Sequence, residues 1–503
     1  MPLIPEWMTK RGQPIVPADV IVYREGDYAV AVDGKTKQVI AHNKDHAEVI
    51  QKAIDHIADE GKGKIYIKQG EYILTSPIKI DTLSNIIIES DYAVIRASNN
   101  LVPETFGGST VTLLGIRKSN NVIIKGLIMD GNKDNVSEFS VGLLISESQR
   151  ILIYNNEIRN VRGHAIALWF EDPSIFSSDI YVIKNHMHDN VGSSMFKVQK
   201  CMYGIFMYNI IENSDQMGIE LDPGTDKTIL AYNVIRNTRH NGIEIDNAGY
   251  SVSVIGNKLF IIGTAQSVIP KSGGGYHYFH GIMVYDTFYT LIQGNEIWIP
   301  YGHGICIGDE SVGSGGKRKI IIKDNIIINP SQASSSVGYF DGIRIVDIPT
   351  LIEGNIIVDT RSAPRMRYGI SSAVTLDKDI IIKNNYISGY TTSAMYGVHG
   401  AKLIDNIGYV TMNSGVAVFS GDGSTTDFLI GEHGLSPTVD DPSNVVVRCS
   451  PASPDAISAS PLVCYLSDED GDGKYESIRV KFASAPPSGT NNVKVAWEAE
   501  YIG

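Results

Sequence analysis

The chain of 503 residues has room for one large repeat domain and a smaller second one. Its formal net charge of −13 argues against nucleic acid or an anionic membrane as the main partner, since a phosphate-binding surface has to be basic. No run of ~18 apolar residues offers a membrane span. The opening Met1-Pro-Leu-Ile-Pro-Glu-Trp7 lacks the charged and apolar regions of a signal peptide, so the chain reads either as cytoplasmic or as a mature form. The second reading, an extracellular protein with its signal removed, is the expectation.

Residues 1–40 read as an irregular arm with a hairpin, Val20–Tyr23 against Tyr28–Val32, turning at Asp33-Gly34. From His46 to Asp59 the apolar positions Ala47, Ile50, Ala53, Ile54 and Ile57 follow a helical period, with Asp45 as N-cap and Gly61 as stop. This helix is expected to plug the open end of a repeat that begins at Lys64. From Lys64 to Asn406 an Asn recurs after an aliphatic strand: Asn156, Asn185, Asn209, Asn233, Asn257, Asn295, Asn325, Asn355, Asn385 and Asn406. Gly-Ile-x-aliphatic recurs ahead of them at Gly218, Gly242, Gly281, Gly304 and Gly342, with a weaker version at Gly369. A shortest step of 21–24 residues without helical periodicity fits one turn of a three-stranded parallel β-helix. The Asn residues then form a structural ladder at one tight turn and are expected to tolerate its left-handed backbone. Longer coils put loops at 170–178, 263–279, 310–317, 331–340 and 360–368.

After residue 410 the repeat stops, and alternating segments at 415–419, 444–448, 462–466, 477–482 and 493–498 read as a small antiparallel β-sandwich. The expected domains are 1–62, arm and capping helix; 63–410, β-helix; and 411–503, sandwich. Cys449 and Cys464 lie on neighbouring strands and can pair, while Cys201 and Cys306 are expected to be free. The acidic run Asp468–Glu476 resembles a calcium loop, but without flanking helices it reads as a hairpin turn.

One phrase is repeated 24 residues apart: Gly218-Ile-Glu-Leu-Asp222 and Gly242-Ile-Glu-Ile-Asp246. Period-two alternation buries the aliphatics and places Glu220, Asp222, Glu244 and Asp246 on the opposite face. Aligning the coils gives two outward columns: Ala167, Lys197, Glu220, Glu244, Met283, Cys306, Arg344, Ser371, and Trp169, Gln199, Asp222, Asp246, Tyr285, Gly308, Val346. Stacked strands lie ~4.8 Å apart, so the acids crowd together and at least one pKa is expected to rise. The four acids are the candidate catalytic groups. Trp169, Lys197, Gln199, His240, Tyr285, His303 and Arg344 are the candidate substrate-binding residues, with Tyr250, Tyr276 and Tyr278 on adjoining loops; no spacing suggests a zinc site.

With its Gly-Ile-x-Ile strands, Asn ladder and capping helix, the chain over about residues 45–410 resembles the pectate-lyase-like, right-handed parallel β-helix superfamily. That resemblance implies a polysaccharide-active enzyme whose site lies on the outer face of one sheet. Gly302-His303-Gly304 and Gly342-Ile-Arg344-Ile are similar to segments of polygalacturonase-type glycoside hydrolases. The catalytic Asp residues of that family are missing before the strand glycines, where only Asp341 is acidic, so galacturonan hydrolysis does not carry over. The expected function is glycoside hydrolysis by paired carboxylates, one as acid and one as base or nucleophile, with no cofactor required. The alternatives are a calcium-dependent polysaccharide lyase or epimerase, with the acids holding Ca²⁺ and Lys197 or Arg344 abstracting a proton, and a non-enzymatic glycan-binding or viral fibre protein. A fibre would need an apolar outward stripe, which the sequence does not clearly show.

Overall fold

The computed structural model describes residues 18–501, apart from 103–110, 247–248, 250, 264–268, 271–275, 278, 286, 309–318, 333–339, 373, 375, 377–378, 399, 409, 411, 436–438 and 440. The architecture is a right-handed parallel β-helix followed by small antiparallel sheets at the C-terminal end. Packing divides the chain into two compact units, one up to Leu291 and one from Ile292.

In the first unit, strand Val20–Glu25 pairs antiparallel with Tyr28–Asp33, which pairs in turn with a third strand, Val39–Asn43. The helix spans His46–Asp59, and the Asp45 carboxylate accepts from the amides of Ala47 and Glu48. Its buried face, including Val49, Ile50, Ile54 and Ile57, packs against strands Glu71–Leu74 and Ile78–Asp81 of the opening coils. The sheet that carries the acids runs in the spatial order Ile78–Asp81, Thr112–Arg117, Val141–Ser146, Ile166–Trp169, Phe196–Val198, Ile219–Leu221, Ile243–Ile245 and Ile282–Val284. Inward Phe196, Val198, Ile219, Leu221, Ile243 and Ile245 are all fully buried. The glycine that opens each strand has a packing cause: a Cβ on Gly218 would lie 2.5 Å from Ile235 Cγ2 and 2.7 Å from the Gly242 carbonyl oxygen.

The ladder in this unit runs Asn156, Asn185, Asn209, Asn233, Asn257, with each Nδ2 donating to the next Oδ1 at 2.9–3.1 Å. One expectation is corrected. The left-handed residue is the one before the ladder Asn: Asn155, Lys184, Tyr208 and Tyr232 all have φ of 55–58°. The ladder Asn keeps ordinary geometry because its own amide must donate along the stack, as Asn209 N does to Asn233 Oδ1 at 3.0 Å.

The second unit repeats the scheme with strands Ile305–Ile307, Ile343–Ile345, Met366–Ser372 and Tyr390–Tyr396. Its ladder runs Asn295, Asn325, Asn355, Asn385, Asn406, at 2.9 Å per step. On another of its sheets Ile356 and Tyr386 are paired outward neighbours, 42% and 43% exposed, and Ile407 comes next at 62%. An apolar outward row therefore exists where none was clear from the sequence.

The sandwich pairs Met412–Gly421, Gly489–Tyr501 and Val445–Pro451 in one sheet, and Asp427–Glu432, Ser477–Phe482 and Leu462–Ser467 in the other. Strand Asp427–Glu432 and the short helix Pro454–Ser458 were not anticipated. Cys449 and Cys464 form a disulfide between the two sheets; Cys201 and Cys306 are buried thiols.

Candidate functional site

The register across the first unit's sheet places Ala167, Lys197, Glu220, Glu244 and Met283 side by side on successive strands. Two residues further along, the amides of Gln199, Asp222, Asp246 and Tyr285 donate to the carbonyls of Leu168, Val198, Leu221 and Ile245. Both columns of the sequence alignment are therefore real within this unit.

Side chains then organise the columns in a way that spacing does not reveal. Lys197 Nζ lies 2.8 Å from Glu220 Oε1 and 2.8 Å from Asp222 Oδ2. Gln199 Nε2 donates to the same Asp222 oxygen at 2.6 Å, and the Ser194 hydroxyl donates to Glu220 Oε2. Glu220 and Asp222 are buried. Asn241 Nδ2 donates to Glu244 Oε2 at 2.5 Å, while Asn241 Oδ1 accepts from the His280 amide at 2.6 Å.

Burial, with the charges of Glu220, Asp246 and Asp222 adding to it, pushes the Glu244 carboxyl up to about 7, against the bond from Asn241. Burial also raises Glu220, opposed by Lys197. Burial alone would lower Lys197, but Glu220 and Asp222 outweigh it and hold the ammonium above its ordinary value.

The surroundings of the acids are apolar on one side. Trp169 packs on Val141, Leu144 and Ala167 and sits 6.0 Å, centroid to centroid, from buried His164. Burial lowers His164 to about 4, so it is neutral near pH 7; its Nδ1 lies 2.8 Å from the Ser194 carbonyl. His240 stacks face to face on Phe279 at 4.2 Å. Tyr285 is half-buried at the end of its column. Tyr250, Tyr278 and the side chain of Tyr276 lie outside the described residues, as do much of the 263–279 and 331–340 loops and all of 310–317. Ser194 and Asn241 carry no expected role in the sequence; Asn241, next to the repeated Gly-Ile-Glu phrase, was the one visible signal.

His303 and Arg344 belong to the second unit. The groups around them there are Asp341 and Arg367. Among the described residues, the one group of acids able to converge on a metal is Asp468, Asp470, Asp472 and Glu476, whose oxygens lie within 4.8 Å of one another. It sits on the turn between strands Leu462–Ser467 and Ser477–Phe482, as the hairpin reading expects.

Residues 115–276 match the family described as right handed beta helix region. Among curated proteins, the chain is 25% identical over 209 residues to alginate lyase 7 of Azotobacter vinelandii, covering 40% of this chain and 23% of that protein. It is 24% identical over 200 residues to mannuronan C5-epimerase AlgE3 of the same organism, covering 37% of this chain and 10% of that one. The chain thus spans no more than about a quarter of either relative. Among solved structures, the Dettilon tailspike protein gp208 aligns with a TM-score of 0.47 and 13% identity over 90% of this chain and 91% of that one. The protein is thus a right-handed parallel β-helix protein whose curated relatives are named for action on polysaccharides.

These relatives correct the expectation of glycoside hydrolysis, since they are named as a lyase and an epimerase. The side chains agree with that correction. Two of the four carboxylates are bridged by one ammonium, so they do not stand as an acid and a base facing each other across a sugar bond.

Proposed function

We propose that the protein modifies a polyuronate by removing the proton next to the sugar carboxylate, as a lyase or an epimerase. The observation that carries this reading is the Lys197 ammonium, held 2.8 Å from both Glu220 and Asp222, with Glu244 on the strand beyond them and its carboxyl pushed up to about 7. Abstraction at C5 of a uronate needs two things. The carboxylate must be neutralised so that the enediolate formed on proton loss is stabilised. A base must also be poised near the working pH.

Lys197 supplies the positive charge. Glu220, raised by burial, accepts from Lys197 and from the Ser194 hydroxyl and so fixes where the ammonium lies. Glu244 is the base: the C5–H bond breaks, its electron pair enters the enediolate, and the proton moves to Glu244. If the glycosidic oxygen at C4 then departs, a C4–C5 double bond forms and the proton on Glu244 can pass to the leaving oxygen. If C5 instead takes a proton from solvent water on its other face, the enediolate electron pair re-forms the C5–H bond, Glu244 returns its proton to solvent, and the product is the epimer. Asp222, Gln199 and Ser194 hold Lys197 and Glu220 in register. Trp169 offers a stacking surface to a neighbouring ring. Asp246 and Tyr285 continue the column of Asp222.

The alternative role of Lys197 as the base does not suit it, because its acid partners hold it protonated. Calcium, which takes about 6–8 oxygens, does not fit the Glu220–Asp222 pair, since an ammonium already bridges them and Ser194 holds the second Glu220 oxygen. The substrate class fits an extracellular protein.

The test is incubation with mannuronan, mixed alginate and polygalacturonate, following ultraviolet absorbance of unsaturated ends and the uronate composition by NMR. Unsaturated ends or a changed epimer ratio on one of these polymers is expected. New reducing ends with neither change would overturn the reading.

A further inference from the structure

The outer face of the second unit carries a cluster that this chemistry does not use. Cys306, Arg344, Ser371 and Tyr396 form one outward row across four adjacent strands. Beside the row lies Asp341, fully buried. Its two oxygens accept a forked pair from Arg367 at 3.1 and 3.0 Å, and further bonds from the Tyr368 amide at 3.2 Å and the Ser371 hydroxyl at 2.6 Å. The charge of Asp341 is therefore matched by Arg367. Buried His303 accepts from the Asp341 amide at 2.8 Å and is held neutral by burial and by the two arginines.

That leaves one cation over. Arg344 is half-buried, points outward, and makes no hydrogen bond or ion pair among the described residues. Its charge acts on Asp341, but both Asp341 oxygens are already taken by Arg367, Tyr368 and Ser371, so the guanidinium's own donors remain for an anion from outside. Its neighbours have the shape of a sugar platform. The Arg367 guanidinium lies 4.5 Å over the Tyr368 ring, Tyr368 stacks on Tyr396 at 4.6 Å and 7°, and Tyr396 is 55% exposed. An exposed ring in a rigid stack suits the apolar face of a pyranose, and a guanidinium suits its carboxylate.

We propose that Arg344 and Tyr396 form a binding site for a carboxylate-bearing sugar residue, built within the second unit: Arg344 takes the carboxylate and Tyr396 takes the ring. The site uses none of the residues of the Lys197 chemistry and holds an acidic sugar whether or not turnover occurs.

The test is calorimetric titration of the full chain carrying Lys197→Met, so that failure of the catalytic reading leaves this result intact. The probes are a short mannuronate oligosaccharide and a neutral cello-oligosaccharide of equal length. The acidic probe is expected to bind more tightly than the neutral one. Adding Arg344→Gln should weaken it by about tenfold or more, and Tyr396→Ala by about threefold or more. Arg344→Lys should recover part of the loss, and thermal unfolding of each variant checks that the fold is kept. Equal affinity of the two probes for the parent, or an unchanged affinity of the acidic probe for a folded Arg344→Gln chain, overturns the proposal.

Discussion

The Lys197 ammonium sits 2.8 Å from Glu220 Oε1 on the neighbouring strand, and the two side chains are only 16% and 11% exposed. A pair this far out of water is costly to break, because either partner alone is left as an uncompensated charge. Lys197→Met removes the counterion of Asp222 as well. Some exposure remains, so the expected loss of stability is about 2–3 kcal/mol, read from urea unfolding. Turnover should fall by about 100-fold or more, the scale of losing a group that stabilises developing negative charge.

Glu244 gives the sharpest pH dependence. Its carboxyl titrates near 4.5 when unfolded and at about 7 when folded. Between those values the folded chain keeps a proton that the unfolded chain has lost, so stability falls as pH rises through the window and levels off above it. The effect is about 3 kcal/mol. Glu244→Gln removes it, so the variant should gain stability relative to the parent as pH rises across this range. In the parent, kcat/KM should climb through an apparent pKa near 7, because Glu244 must be ionised to act as base. A profile flat across neutrality would assign the base elsewhere.

Asn233 tests the frame. It is fully buried, donates to Asn257 Oδ1 at 2.9 Å and to the Phe206 carbonyl at 3.0 Å, and accepts from Asn209 N and Nδ2. Asn233→Ala orphans several buried polar groups at once, for an expected cost of about 3 kcal/mol or more. A loss under about 1 kcal/mol in denaturant melts would show that water or local rearrangement replaces the ladder bonds.

Metal removal separates two readings of the acids. With Lys197 bridging Glu220 and Asp222, chelation by EDTA is expected to leave turnover unchanged. Activity lost to EDTA and restored by calcium, with Asp468 and Asp472 both changed to Asn, would mean that the ion displaces Lys197.

Features fixed by local period or by repetition were legible in the sequence. Asp45 as N-cap, the Asn stack, the paired Cys449 and Cys464, and the stacking of Glu220 on Glu244 all derive from spacing alone. What escaped depends on rotamers and on residues that meet across coils. Lys197 and Glu220 are neighbours by column, but only side-chain direction shows one ammonium serving both Glu220 and Asp222. Ser194 and Asn241 sit outside the repeated phrase and look like turn residues until their bonds to Glu220 and Glu244 are seen. The hydrolase expectation came from counting carboxylates without knowing which were already neutralised. Arg344 was assigned to the acids by column, although its immediate surroundings are His303, Asp341 and Arg367.

The central claim is proton abstraction at C5 of a uronate, and the most direct measurement is deuterium incorporation at that carbon. Mannuronan would be incubated with the full chain in deuterated water and the polymer examined by NMR. Deuterium is expected at C5 of epimerised residues, or unsaturated residues that have lost the C5 proton, with either signal abolished in Glu244→Gln. A chain that shortens mannuronan while every C5 keeps its original proton would contradict it.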